Sequence, residues 1–265
     1  MDDAPLLPSE VARYLTTRVL GRRLFYYPET DSTNDVAVAL ARGGEGEGTV
    51  VYADFQRRGR GRRTHTWSSA PRQDLLFTVI LRPRGSPADV LPVTLAASIA
   101  LSVVLTGAAG ETVGVKWPND LMAGAGKIGG ILAESAAGDD GERFVALGVG
   151  INVNSMPADF PEEIHGRAAS CRSLCGDAHD RALLFADALA AVETYYTRFS
   201  KDGFGPLAPS YDERLVLRAR RVRVVGAGDV FEGSVIGVRT DGSLRVSLDS
   251  GGEAWLYSES VEVIE

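Results

Sequence analysis

The sequence predicts an α+β fold, a mixed sheet flanked by helices over residues 1–215 with a small all-β barrel over residues 216–265. Three observations predict it. Apolar runs of strand length, such as 49–55 and 75–81, are interspersed with apolar stretches long enough for helices at 90–105 and 183–199, and run length separates the two where period alone does not. Between the first two strand-like runs lies Gln56-Arg57-Arg58-Gly59-Arg60-Gly61-Arg62-Arg63-Thr64-His65-Thr66-Trp67; alternating Arg and Gly cannot pack a core, so it reads as a mobile surface loop. From Arg218 the character changes to short strands at 222–225, 230–238, 244–248 and 253–257, separated by Gly226-Ala227-Gly228, Asp241-Gly242 and Ser250-Gly251-Gly252. That pattern is an SH3-like barrel, near the small end of what folds alone.

Taken in order, the elements follow local rules. Residues 9–20 hold one small helix, and the stretch ahead of the body has no room for a helix-turn-helix domain. Phe25-Tyr26-Tyr27 is the first strand. Ser32 is a good N-cap, with Asp35 three residues on completing a capping-box-like start. Val36, Ala39 and Leu40 are expected on the buried face of that helix, and Gly43-Gly44 stops it. Residues 82–87 form a turn into a helix over 90–105, which is apolar nearly all round and so buried. Asp89, Pro92 and its several Ser and Thr suit a core helix rather than a membrane span. The strand at 112–116 ends at Pro118, with Asn119-Asp120 as a connector. Gly124-Ala125-Gly126 turns into a strand over 127–134, and a hairpin-like turn at 138–141 leads to a strand over 144–153. Gly129, Gly130, Gly148 and Gly150 inside these strands allow a ligand or another backbone to come close. Residues 155–180 are loop-rich. Leu184, Ala188, Ala191, Val192, Tyr195 and Phe199 line one face of the helix over 183–199, and 203–217 is a helical or irregular link.

The net charge of −7 over 265 residues excludes a general nucleic-acid binder and makes the arginine loop a positive island on an acidic body. Cys171 and Cys175 are spaced too closely for a helical disulfide and read as apolar fillers of a reduced, cytoplasmic protein. With His165 and His179 they fit no standard zinc spacing, and no resident metal site is expected. The N-terminus shows no secretory pattern.

Three polar features stand at strand or helix ends: the arginine loop, Ser32-Thr33-Asn34, and the stretch from Trp117 to Lys127. Ends of this kind can converge on one ligand. Arg60 and Arg62 suit a phosphate or carboxylate that must be wrapped and kept from water, whereas Arg57, Arg58 and Arg63 read as solvated charge. The Lys127 ammonium, after a glycine turn, suits negative charge that develops during a reaction. There is no Walker motif, no Rossmann turn and no nucleophile elbow. From the residues alone this is an enzyme or binder acting on a small anionic or adenylated ligand.

Four stretches in register resemble the biotin–protein ligase family, the biotin–[acetyl-CoA-carboxylase] ligases: Asp31-Ser32-Thr33-Asn34; Gln56-x-x-Gly59-Arg60-Gly61-Arg62-Arg63 with Trp67; Lys116-Trp117-Pro118-Asn119-Asp120-Leu121 with Lys127; and Gly148-Val149-Gly150-Ile151-Asn152-Val153-Asn154. The likeness covers 25–155 strongly and the C-terminal module loosely. It implies a fold of the class II aminoacyl-tRNA synthetase and biotin ligase kind. It also implies a two-step reaction. Biotin and MgATP give biotinyl-5′-adenylate and pyrophosphate, and a lysine of a biotin carboxyl carrier domain of acyl-CoA carboxylase then takes the biotin. By the same resemblance, Ser32, Thr33, Asn34 and Gln56 would bind biotin's head. Arg60, Gly61 and Arg62 would close on its carboxylate and the α-phosphate. Lys127, with Arg60 and Arg62, would serve the chemistry, and Arg62, Trp67, Asn119, Asp120 and Asn152 would form the nucleotide side. Mg2+ would accompany ATP, with no DNA or membrane partner and a monomeric or homodimeric state. The C-terminal module would help hold ATP or the acceptor. Thr64-His65-Thr66 departs from the family pattern and is expected to stiffen the loop. A lipoate or octanoate ligase, an adenylate-responsive repressor and an RNA binder are the rival readings. The first lacks its Arg-Arg-x-Ser-Gly-Gly-Gly type of stretch here, the second a DNA-binding segment, and the third interleaved aromatics.

Overall fold

The central strands are buried nearly throughout, and their side chains face alternately to two sides, which places two unequal cores on either side of one sheet. The structure, a computed structural model, describes residues 4–63, 65–83, 90–139, 141–225 and 230–264. Thr64, residues 84–87 of the expected turn, Asp89, Asp140 and the turn at 226–228 lie outside the described residues.

The main sheet comprises β1 (Leu24–Tyr27), β2 (Val50–Ala53), β3 (Leu75–Leu81), β4 (Val113–Lys116), β5 (Asp120–Ala123), β6 (Gly126–Ala137) and β7 (Arg143–Ile151). Its order is β1-β2-β3-β7-β6-β5-β4. The β1–β2 pair is parallel and the others are antiparallel, so the sheet is mixed, as predicted. Tyr52, Phe77, Val79, Leu147 and Val149 face the larger core with α3 (Val90–Ala109) and α5 (Arg181–Asp202). Val51, Ile80 and Phe144 face the other way, against Ala37 and Ala41 of α2 (Thr33–Arg42). By length and composition α3 could cross a membrane, but it packs against β4, β6 and α5, with most of its residues buried.

Several expectations need correction. The buried residues of α2 are Thr33, Asn34, Ala37 and Ala41, whereas Ala39 is exposed. Ala37 and Ala41 meet Val51, Ile80 and Phe144 directly, the expected Val36 and Leu40 pack beside them half-buried, and the helix turns its two polar N-terminal residues down onto the sheet. The first helix, α1 (Pro8–Ala12), is shorter than the expected 9–20. The N–H groups of Arg18, Val19 and Leu20 donate instead to the Glu193 carboxylate at 2.7, 2.7 and 2.8 Å, which satisfies that backbone without a helix. Asn119 and Asp120 do not merely connect: Asp120 pairs back onto Lys116 and opens β5. Within the loop-rich 155–180, α4 (Cys171–Cys175) forms one short helix, and α6 (Ala208–Asp212) lies in the link that follows α5.

The second sheet, order β11-β10-β9-β8-β12, is wholly antiparallel. It is built from β8 (Arg221–Val225), β9 (Val230–Val238), β10 (Leu244–Leu248), β11 (Glu253–Leu256) and β12 (Ser260–Val263), the last unforeseen in the sequence. Trp117 ties it to the body. The indole is buried at 3% exposure and its Nε1 donates to Gly242 O at 3.1 Å. The Asp212 carboxylate, accepting from Val238 N at 2.9 Å, adds a second tie.

Candidate active site

The face of the sheet that carries α2 also carries a narrow cleft. Its floor is strand backbone laid bare by glycine. A Cβ at Gly150 would sit 2.5 Å from Cε2 of Trp67, and one at Gly148 would collide with the Asn34 amide. Both glycines point to the cleft because Leu147, Val149 and Ile151, their neighbours on β7, point to the larger core.

At one end of the cleft Ser32, Thr33 and Asn34 begin α2, each less than 5% exposed. Ser32 occupies the N-cap position, but its side chain caps nothing. The cap comes from across the chain, where Gln56 Oε1 accepts from Thr33 N at 2.7 Å and from Thr33 Oγ1 at 3.0 Å. Asp35 likewise leaves the expected capping box and pairs with Arg60 at 2.7 Å. The Ser32 hydroxyl is therefore not committed to its own helix. Asn34 Nδ2 donates to Leu132 O at 3.1 Å and to Glu134 Oε2 at 2.6 Å. Its Oδ1 accepts from the Thr78 hydroxyl at 2.6 Å, and that hydroxyl lies 2.9 Å from Thr33 Oγ1. Thr78 escaped the sequence reading, although it is the single polar residue in the run Leu-Leu-Phe-Thr-Val-Ile-Leu of β3. In a strand buried along its length, that exception marked the polar end of the cleft.

The arginine loop is not the unpartnered segment the sequence suggested. Gly61 N donates to His65 O at 2.7 Å and Trp67 N to Gly59 O at 2.9 Å, which fold it into a narrow ribbon. Arg57 pairs with Asp31 at 2.7 Å and Glu29 at 2.9 Å, and Arg58 pairs with Asp31 as well. Those two guanidinium groups are surface charge, as expected. Arg60 lines the cleft and rests on Asp35 and Glu134. Arg62 reaches Asn119 Oδ1 at 3.4 Å and Ser258 O at 3.2 Å. Burial lowers its pKa, and the Arg63 charge beside it adds to the effect. Arg63, expected to be solvated only, donates to Ser258 O at 2.9 Å and to the Ser260 hydroxyl. The loop thus spans from α2 to the second sheet.

At the other end of the cleft Lys127 Nζ lies 2.6 Å from Asp120 Oδ1 and 5.6 Å from the centre of the Trp67 ring. A register shift between β5 and β6 at Leu121/Met122 pairs Lys127 with Met122. Trp67 Nε1 is buried and has no hydrogen-bond partner among the described residues. Asn119, held by Ile131 O at 3.1 Å, borders both this cleft and a second, wider space. Arg62, Arg63, Leu91, Thr94, Tyr257 and Ser258 also line that second space. Of the five residues expected on the nucleotide side, Arg62 and Asn119 border it, Trp67 lines the first cleft, and Asp120 is paired with Lys127. Asn152 lines neither. It is 4% exposed, and its Nδ2 donates to Ala169 O at 2.9 Å and Lys127 O at 3.3 Å, bracing the strand that carries the lysine. Its position at the end of a strand was compatible with either face.

The geometry offers a polar buried head, a cationic middle and a wide exit between two sheets. Comparison with known proteins gives it a context. The biotin/lipoate A/B protein ligase family model matches residues 26–154. The bifunctional ligase/repressor BirA of Bacillus subtilis is 33% identical over 258 residues, which is 97% of this chain and 79% of that protein. The biotin–[acetyl-CoA-carboxylase] ligase of Mycobacterium tuberculosis is 33% identical over 244 residues, 89% of this chain and 87% of the relative. The biotin protein ligase from Aquifex aeolicus, solved in complex with biotin and ATP, superposes with a TM-score of 0.80 at 25% identity, over 91% of this chain and 99% of that one. With identity at that level along nearly its whole length, this chain belongs to the biotin/lipoate A/B protein ligase family, among its biotin–protein ligases.

Proposed function

We propose that this chain activates biotin with ATP to biotinyl-5′-adenylate and passes the biotin to a lysine of a biotin carboxyl carrier domain of acyl-CoA carboxylase. The observation that carries the reading is convergence. Residues as far apart in sequence as Ser32, Gln56, Arg60, Lys127 and Gly150 line one cleft. Biotin's ureido head needs donors and acceptors together, and the Ser32 hydroxyl, Thr33, Asn34 and Gln56 supply both. A dithiolane ring would leave those groups unpaired, which costs binding. The names of the Mycobacterium tuberculosis relative and of the Aquifex aeolicus structure agree with the choice of biotin over lipoate.

With the head seated there, the carboxylate points toward Arg60 and Lys127, and the nucleotide takes the wider space bordered by Arg62 and Asn119. A carboxylate oxygen attacks the α-phosphorus, the bond to pyrophosphate breaks, and a mixed anhydride forms. Two anions must meet, and the Arg60, Arg62 and Lys127 charges offset their repulsion and stabilise charge developing on the phosphoryl oxygens. The arginine ribbon, resting on Ser258 O between β11 and β12, shields the anhydride from water. The acceptor amine then attacks the carbonyl carbon and AMP leaves. Among the described residues no cluster of three or more His, Cys, Asp or Glu stands ready to hold a metal. Mg2+ enters this reading as ATP's counter-ion, and no step is derived through it.

Free thiols at Cys171 and Cys175 support a reducing cytoplasm as the compartment. The net charge of −7 supports a ligase acting without DNA, which a mobility-shift assay checks. The decisive test is exchange of labelled pyrophosphate into ATP. Exchange should require biotin and be absent with lipoate; exchange with lipoate alone would overturn the choice of substrate.

A further inference from the structure

Arg60 is the cleft's bridge between its buried head and its open mouth, and it is already occupied. Its Nη2 lies 2.7 Å from Asp35 Oδ1 and 3.0 Å from Glu134 Oε2. Both contacts fall on that one nitrogen, so neither is the two-pronged pairing that a guanidinium makes with a single carboxylate. Glu134 Oε2 also accepts from Asn34 Nδ2 at 2.6 Å. One carboxylate oxygen therefore serves the amide at the head and the guanidinium at the mouth. Two carboxylates against one guanidinium leave a surplus negative charge where an anionic substrate has to arrive.

Resting on the biotin-ligase reading above, we propose that Asp35 and Glu134 form an internal carboxylate site that holds Arg60 until the substrate carboxylate displaces them, with Glu134 also positioning the Asn34 amide. The exchange is feasible because the side chains of Arg60, Asp35 and Glu134 are 43%, 59% and 34% exposed. Ion pairs this open to water are each worth at most about five-fold in an equilibrium constant. A substrate carboxylate that takes both prongs of Arg60 competes well against two single-pronged contacts. When Arg60 leaves, Glu134 keeps Asn34, so the head stays ordered while the mouth rearranges. Asp35 and Glu134 are positioning residues in this scheme, since neither touches the reacting atoms.

The test is calorimetric titration of the full chain with biotin at low and high salt, alongside steady-state kinetics. Asp35→Asn removes one competitor and leaves Asn34 untouched, so it should tighten biotin about three-fold at low salt. That gain should shrink at high salt, where exposed pairs are screened. Glu134→Gln frees Arg60 but keeps an acceptor for Asn34 Nδ2, and should tighten biotin similarly. Glu134→Ala removes that acceptor too and should weaken biotin about ten-fold relative to the Gln variant, with KM moving more than kcat. If the parent binds biotin but neither Asp35→Asn nor Glu134→Gln tightens it, the displacement scheme is wrong. If Ala and Gln at 134 behave alike, the positioning of Asn34 is wrong. A parent chain that takes up no biotin overturns the functional reading, and this inference with it.

Discussion

Asn34 and Arg60 share one hydrogen-bond acceptor, Glu134 Oε2, yet they stand in opposite environments. Asn34 is 4% exposed, and its amide is committed on both sides to Thr78, Leu132 and Glu134. Arg60 is nearly half exposed and leans on two carboxylates that water can replace. The head of the cleft is organised during folding, so it can recognise a ligand without rearranging. The mouth is organised for exchange, with each arginine of the ribbon on a provisional partner. In the proposed reading, recognition sits on strand and helix, and retention sits on a loop whose contacts each cost little to break.

The largest effect expected belongs to neither region but to the lysine between them. Lys127→Ala should slow adenylate formation by about 10²–10³-fold, with biotin affinity changed by less than about ten-fold, as measured by exchange kinetics and calorimetry. Equal losses in both would make Lys127 a binding group rather than one that meets developing charge.

Next comes the scaffold at the end of β7. Asp74 is 1% exposed, and burial pushes its carboxyl up to about 6 in spite of hydrogen bonds from Val153 N and the Ser155 hydroxyl at 2.9 and 2.7 Å. A carboxyl raised above its unfolded value of about 3.9 binds more protons in the folded state. Its contribution is full below about pH 4 and is lost as pH rises to about 6, a change of about 2–3 kcal/mol. Denaturant melts across that range should show the decline, and Asp74→Asn should remove it. An unchanged slope in the variant would assign the decline to other groups.

Thr78→Val tests whether the head is as tightly organised as described. It keeps the shape and deletes the hydroxyl that Asn34 Oδ1 accepts from, so stability should fall by about 1–3 kcal/mol, and biotin should bind several-fold more weakly. A variant with parental melting and affinity would mean that the Asn34 amide is free to reorient. At the opposite extreme, Arg57→Ala and Arg58→Ala should change stability by no more than about 0.5 kcal/mol and leave adenylation as it was. A large loss of activity in either would draw them into the site and blur the division.

Local signals carried most of the fold. Six apolar residues broken only by Thr78 made β3, and a nearly all-apolar helix could only be α3. The β5 strand was hidden because Pro-Asn-Asp reads as an ending, whereas Asp120 folds straight back onto Lys116. On α2 only Ala39 was misplaced, but the burial of Asn34 was not foreseen because its amide answers to Thr78 and Glu134, partners 44 and 100 positions away. The same distance explains the site. Side chains known by motif could be named in advance, but Asp35 reads as a helix-capping acid and Glu134 as ordinary charge at a strand end until the fold brings Arg60 between them. Asn152, placed by motif on the nucleotide side, braces Lys127 from behind, because a strand end can turn a side chain to either face.

The most direct measurement is a crystal structure of the chain with biotin and a non-hydrolysable ATP analogue. Biotin's ring should lie among Ser32, Thr33 and Asn34, with Lys127 Nζ within reach of its carboxylate and the α-phosphate. Arg60 should also have moved off Asp35 and Glu134 onto the ligand. Arg60 still lying on those two carboxylates, with no ligand in the space beside Lys127, would contradict this arrangement.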